Sequence, residues 1–159
     1  MTVSGEQVPP GVCNSTAIRK AARRLTRFYD ACMADTELRT TQYTILNLLA
    51  ARGSTTMAAL ADILSMDRAT MGHNLRPLER EGLITIQVGR QDRREREITL
   101  SSLGVKREAQ GKACWLKAQA KFEEAFGKDN ALAMRRIMAR IVALDLDTDE
   151  DPKQKIIAA

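Results

Sequence analysis

Apolar side chains recur every three or four positions through most of this chain. Over a short central stretch they alternate strictly, and then the helical spacing resumes. The first helical pattern runs through Ile18, Ala21, Ala22, Leu25, Phe28, Tyr29, Cys32 and Met33, with Asn14-Ser15-Thr16 as capping candidates. Arg19, Lys20, Arg23, Arg24 and Arg27 cover the rest of that helix. A second predicted helix, about 41–52, carries Tyr43, Ile45, Leu46, Leu48 and Leu49 and stops at Gly53. Two shorter helices follow, 57–64 and 68–81, separated by Ser65-Met66-Asp67, and Gly82 ends the second. Residues 83–88 and 97–100 then alternate like paired strands. Beyond Ser101 a long helix, about 103–126, places Ala109, Ala113, Leu116 and Ala120 on one side, with Phe122 and Phe126 near its end. Gly127 breaks it, and a last helix, about 130–144, carries Met134, Ile137, Met138, Ile141 and Leu144.

Helix, turn, helix and a hairpin with a long cationic tip form the outline of a winged helix-turn-helix. The connection from Gly89 to Arg96 reads Gly-Arg-Gln-Asp-Arg-Arg-Glu-Arg, longer and more basic than a tight hairpin requires. The expected fold is mainly α: a winged helix-turn-helix with a two-stranded wing, flanked by N- and C-terminal dimerisation helices. The expected divisions are a disordered segment at 1–14, dimerisation helices at 15–38 and 102–146, a DNA-binding region at 39–101 and a flexible tail at 147–159. The flanking helices carry apolar stripes that a small winged domain cannot fully cover. A second copy would cover them, and a homodimer would present two recognition helices to a pseudo-palindromic site about one duplex turn apart.

Composition narrows the chemistry. The hydrophobic share is 44% and the aromatic share 4%, so Ala, Leu, Ile and Met must do most of the packing, which favours helices. The formal charge of +5 permits a polyanionic partner, and the crowding of Arg90, Arg93, Arg94 and Arg96 in one loop says more than the total. The cysteines, Cys13, Cys32 and Cys114, are far apart and contain no C-x-x-C pair, which argues against a disulfide framework or a zinc site. With His73 as the single histidine and no Gly-rich phosphate loop, neither an enzyme nor a bound cofactor or metal is expected. No signal peptide is visible and no apolar run approaches the roughly 20 residues of a membrane span. A cytoplasmic protein is expected.

The candidate DNA-reading residues follow from the helical wheel. If Met71, Leu75 and Leu78 are the buried side of the 68–81 helix, its opposite side is Ala69, His73, Arg76 and Arg80, with Gly72 beside it. Arg68 and Thr70 sit in the first turn, where helix amides can meet a phosphate, and Asp67 is the expected N-cap. Small residues permit close approach, Ala69 suits a thymine methyl, and His73 and Arg76 can reach base edges. In the wing, a narrow minor groove is a natural host for an inserted arginine, and Asp92 can orient Arg94 by a charge-assisted bond. Pro77 is expected to kink the recognition helix. A solvated cationic surface explains each feature singly, and a winged-helix module that binds protein or RNA is the alternative reading; their succession along the chain points to duplex DNA.

With these residues in hand, the chain resembles the MarR-type (multiple antibiotic resistance regulator) transcription factors. The resemblance rests on Leu38-x-Thr40-x-Gln42-Tyr43-x-Ile45-Leu46, on Leu60-Ala61, and on Leu78-Glu79-x-x-Gly82-Leu83-Ile84. It continues through Asp92-x-Arg94 and Ile98-x-Leu100-Ser101-x-x-Gly104. It implies a winged-helix dimer whose first and last helices interlock, and repression by operator occupancy, relieved by a small ligand or by oxidation. It assigns base and backbone contacts to Arg68, Thr70, His73 and Arg76, and minor-groove insertion to Arg94 with Asp92 in support. Relatives often carry arginine where His73 stands. Aromatic acids and related effectors often bind these proteins between dimer helices and winged module, where Tyr29, Tyr43 and Trp115 are the aromatic candidates here. A peroxide-sensing branch uses a cysteine near the start of the first helix. Cys13 lies close to that place, although Ser15 occupies the matching position and Thr40 stands where that branch has a tyrosine.

Overall fold

The computed structural model describes residues 13–89 and 94–145 of the 159. The expected disordered segment, apart from its last two residues, and the expected tail lie outside the described residues. So do Arg90, Asp92 and Arg93 of the wing tip. Among the described residues, six α-helices and three short strands follow in the order α1 (Asn14–Cys32), α2 (Thr40–Arg52), β1 (Thr55–Thr56), α3 (Met57–Ile63), α4 (Arg68–Arg80), β2 (Ile84–Val88), β3 (Arg96–Leu100), α5 (Ser102–Phe126) and α6 (Lys128–Val142). A single 3-10 turn, Ala34–Thr36, joins α1 to α2, and its buried Thr36 hydroxyl donates to the Met33 carbonyl at 2.7 Å. The mainly helical, winged fold is thus as expected.

The wing has one more strand than the alternation pattern indicated. β2 and β3 pair antiparallel, with Ile84 opposite Leu100 and Val88 opposite Arg96. β1 adds to the other edge of β3, Thr55 opposite Ile98, giving the order β1-β3-β2. Two residues are too few to show a period, so this strand is invisible to pattern reading. It ties the start of the helix-turn-helix to the wing: Thr56 is both the last residue of β1 and the N-cap of α3, where its hydroxyl accepts from the Ala59 amide at 3.1 Å.

The chain divides into two compact units, one ending at Gln119 and one beginning at Ala120, with the long helix α5 running through the division. In the first, Met33, Tyr43, Ile45, Leu46, Leu49, Leu60, Met71, Leu75, Leu78, Leu83, Ile84 and Ile98 form one buried cluster. At roughly 1.5–3 kcal/mol for each large apolar side chain removed from water, this cluster dominates the unit's stability. The turn between α3 and α4 is held by the Met66 amide on the Ala61 carbonyl at 2.8 Å, with Ser65 in a left-handed conformation (φ 50). At the end of α4, Gly82 takes φ 69, and the Leu83 amide reaches back to the Leu78 carbonyl at 2.8 Å, closing the helix in a Schellman pattern.

Two local expectations change. The capping candidates Asn14-Ser15-Thr16 all lie at or inside the start of α1; the N-cap is Cys13, which makes no side-chain capping bond. On α5 the buried positions are Gly104, Gly111 and Ala118, while Ala109, Ala113, Leu116 and Ala120 are exposed. The reason is close approach: a side chain at Gly104 would collide with the Leu83 carbonyl and one at Gly111 with the Tyr43 ring. In the second unit, Phe122 and Phe126 stack with centroids 5.2 Å apart, Arg135 pairs with Glu123 at 3.2 Å, and the apolar Ile137, Val142 and Leu144 stand exposed.

Candidate nucleic-acid interface

Three apolar residues at helical spacing dictate how α4 lies. Met71, Leu75 and Leu78 are each at most 1% exposed, and the face opposite them is turned to solvent. Arg68, Ala69, Thr70, His73, Arg76 and Arg80 are all exposed there, with Gly72 half-buried beside them. Asp67 caps the helix as expected: it accepts from the Thr70 amide at 2.8 Å and from the Thr70 hydroxyl at 2.6 Å. The hydroxyl bond and then the amide bond hold the Asp67 carboxyl below the usual range. They also commit the Thr70 side chain to the cap. The helix runs through Pro77 to Arg80, and the Asn74 amide group bonds back to the Thr70 carbonyl at 2.9 Å.

The wing and the recognition helix meet on one flank of this face. A cavity of about 460 Å³ between α4 and the sheet is lined in part by Arg68, Ala69, Gly72, Arg76 and Arg96. A second, of about 260 Å³, is bordered by Arg68, Arg94, Glu95, Arg96 and the start of α3. Arg68 and Arg96 border both, so the cationic residues of helix and wing form one surface. On the other flank, His73 and Asn74 share a cavity of about 310 Å³ with Asp30, Arg39, Thr41 and Gln42. Arg39 and Arg96 were not among the expected contact residues. An arginine immediately before a Thr-Thr-Gln helix start was the available signal for the first, and its place in the wing's arginine cluster for the second.

The aromatic and sulfur candidates are dispersed. Tyr43 is 4% exposed within the main core, its ring 6.3 Å from that of Trp115. Burial, and then the charge of Glu108, pushes its hydroxyl pKa up. Tyr29 is half-buried, packs edge-on to Phe28 and donates its hydroxyl to Gln119. None of the three lines the cavities beside α4. Cys13 is exposed at the start of α1, and the neighbouring Thr16 hydroxyl and then its amide lower the thiol pKa. Cys32 and Cys114 are partly buried, free thiols. Among the described residues no group of His, Cys, Asp and Glu is placed to hold a metal ion, and no helix is long and apolar enough to cross a membrane.

This geometry has known counterparts. The family model described as the MarR family matches residues 38–95, from the start of α2 into the wing. Over that segment the chain is similar to the MarR family. The match supports a DNA-binding transcriptional regulator built on the winged helix. The M. tuberculosis transcriptional regulator MosR in complex with DNA is 28% identical, with a TM-score of 0.74 over 81% of this chain and 92% of that one. The transcriptional repressor CouR, bound to a 23-mer DNA duplex, is 24% identical, with a TM-score of 0.75 over 86% and 99%. BpsR of Bordetella bronchiseptica, whose DNA binding is regulated by 6-hydroxynicotinic acid, is 16% identical, with a TM-score of 0.78 over 88% and 100%. A sequence comparison with curated proteins returns no match.

Proposed function

We propose that this chain is a MarR-type repressor that occupies a pseudo-palindromic operator as a homodimer and leaves it on binding a small aromatic acid or a related ligand. The observation that carries the DNA-reading part is the shared cationic surface: Arg68 and Arg96 border both cavities between recognition helix and wing. In this reading Ala69, His73 and Arg76 face base edges in the major groove, Arg68 and Thr70 meet the backbone, and Arg94 with Asp92 enters the adjacent minor groove. Arg90 and Arg93 add charge at the wing tip. Support for the dimer comes from α1, in which no residue is buried, and from exposed Leu116, Ile137 and Val142, which a second copy would remove from water. The DNA-bound MosR and CouR structures support the partner, and BpsR supports an aromatic acid as effector. Tyr29, Tyr43 and Trp115 are the side chains assigned to that effector.

Fluorescence anisotropy on the protein's own upstream DNA and on random duplex, over a salt series, tests the reading. Preference for the upstream DNA with a steep salt slope supports it. Equal binding to both duplexes, or displacement of DNA by RNA, contradicts it. A second reading, release by oxidation at Cys13, is favoured by the exposure and lowered pKa of that thiol. Peroxide should then weaken operator binding by wild type and leave Cys13→Ser unaffected. Equal responses would exclude that route.

A further inference from the structure

The start of α2 carries a residue that serves the helix poorly. Arg39 is the N-cap, a position that wants a side-chain acceptor, and a guanidinium has none. It also sets a cation at the positive end of the helix dipole. The folded chain supplies the missing acceptor from elsewhere: Asp30 of α1 accepts from the Thr40 amide and from the Thr40 hydroxyl, each at 2.8 Å. Gln42 accepts from the Arg39 amide at 2.8 Å. The guanidinium meets the second Asp30 oxygen at 3.2 Å, yet its side chain remains 77% exposed while that of Asp30 is 18% exposed. Such an exposed pair adds little to stability. A serine here would cap α2 by itself. The local cost of Arg39 therefore has little return within the described fold.

Its position offers one. A recognition helix in the major groove lies between two phosphate backbones. On one flank of α4, Arg94 and Arg96 of the wing face Arg68 and Arg76 across shared cavities. On the opposite flank, the cation that lines the cavity with His73 and Asn74 is Arg39.

We infer that Arg39 is a DNA-backbone contact, oriented by Asp30 and set on the flank of α4 away from the wing, where it grips a phosphate of the second strand. The inference rests on the DNA-reading function proposed above. Arg39 carries no base discrimination in this role; it adds affinity on any duplex.

The test is anisotropy on upstream and random duplex over a salt series, paired with thermal melting, for wild type, Arg39→Ser, Arg39→Lys and Arg76→Ala. Arg39→Ser should melt at or above the wild-type temperature, because serine restores the cap. It should also bind both duplexes about 3- to 10-fold more weakly, with a salt slope smaller by about one. Arg39→Lys should keep the slope, and Arg76→Ala should lose preference for the upstream DNA. Wild-type affinity and slope in Arg39→Ser would overturn the inference and leave the proposed function standing. So would equal losses in Arg39→Lys and Arg39→Ser accompanied by lower melting temperatures, since the position would then act through folding. Failure of wild type to bind either duplex at low salt would overturn the proposed function and this contact with it.

Discussion

Replacing Gly104 by alanine probes the joint between wing and long helix. The first turn of α5 lies against Leu83, just beyond the end of α4. A Cβ at Gly104 would stand 2.0 Å from the Leu83 carbonyl oxygen, 3.0 Å from its carbon and 3.1 Å from Leu100 Cδ2. Carbon and a neighbouring heavy atom sit comfortably at about 3.5 Å, so relief requires a movement of roughly 1 Å or more. Neither side yields cheaply. The Leu83 carbonyl accepts from the Ser101 amide at 3.0 Å, and Ser101 Oγ donates to the Gly82 carbonyl at 2.6 Å while accepting from the Gly104 amide at 3.0 Å. Alanine gains roughly 1 kcal/mol of helix propensity over glycine. Against this stand about 1–3 kcal/mol for overpacking and about 0.5–1.5 kcal/mol for a weakened Leu83–Ser101 hydrogen bond. The net expectation is a loss of about 1–3 kcal/mol, or roughly 3–10 °C in melting temperature for a chain of this size. Circular-dichroism melts at one fixed protein concentration would measure it, because self-association of the kind proposed would make the midpoint concentration-dependent. Gly72→Ala is the matched control: nothing lies within 4 Å of its built Cβ. It should gain roughly 0.5–1 kcal/mol while weakening operator binding, since its methyl would stand on the side proposed to face DNA. A Gly104→Ala protein as stable as wild type would refute the packing described at this joint.

Three further outcomes follow from the site and its supports. Burial pushes the Asp30 carboxyl up, but hydrogen bonds from the Thr40 amide and hydroxyl and the Arg39 guanidinium outweigh it, so its net pKa lies below the ordinary carboxylate range. Its contribution is therefore present above the unfolded carboxylate pKa of about 4 and disappears as pH falls through the lowered value. Wild type should lose more stability than Asp30→Asn between about pH 5 and pH 2, and parallel acid denaturation curves would contradict this. Arg94→Ala should weaken binding to every duplex and reduce the salt slope by roughly one unit, read by anisotropy; an unchanged slope would remove the wing from the interface. Arg76→Ala should relax preference at particular base pairs, by about 1–3 kcal/mol where the contact is bidentate, and a competition series of single-base operator variants would show a uniform loss if it touches only phosphate.

What the sequence revealed depends on how much signal each element carries. The recognition helix was legible because Met71, Leu75 and Leu78 follow helical spacing, and all three are buried. β2 and β3 were legible from alternation and from the turn signals around them. β1 was not, because two threonines between helices have no period. The packed side of α5 was misread because close contact there is made by Gly104, Gly111 and Ala118. A search for large apolar residues instead selects the side with Leu116, which is 54% exposed in the single chain. At the site, the outward face of α4 was readable from geometry alone. Arg39 was not, since its meaning depends on Asp30 reaching across from another helix to take over the cap.

The most direct test of the central claim is a hydroxyl-radical footprint of the intact protein on its own upstream DNA. The account predicts a protected site with two-fold symmetry, its two major-groove centres about one helical turn, or a multiple of it, apart. Arg94→Ala should lose the flanking minor-groove protection while keeping the centres. Protection without that symmetry and spacing, or none where the protein is bound, would contradict a dimer that reads DNA through α4 and the wing.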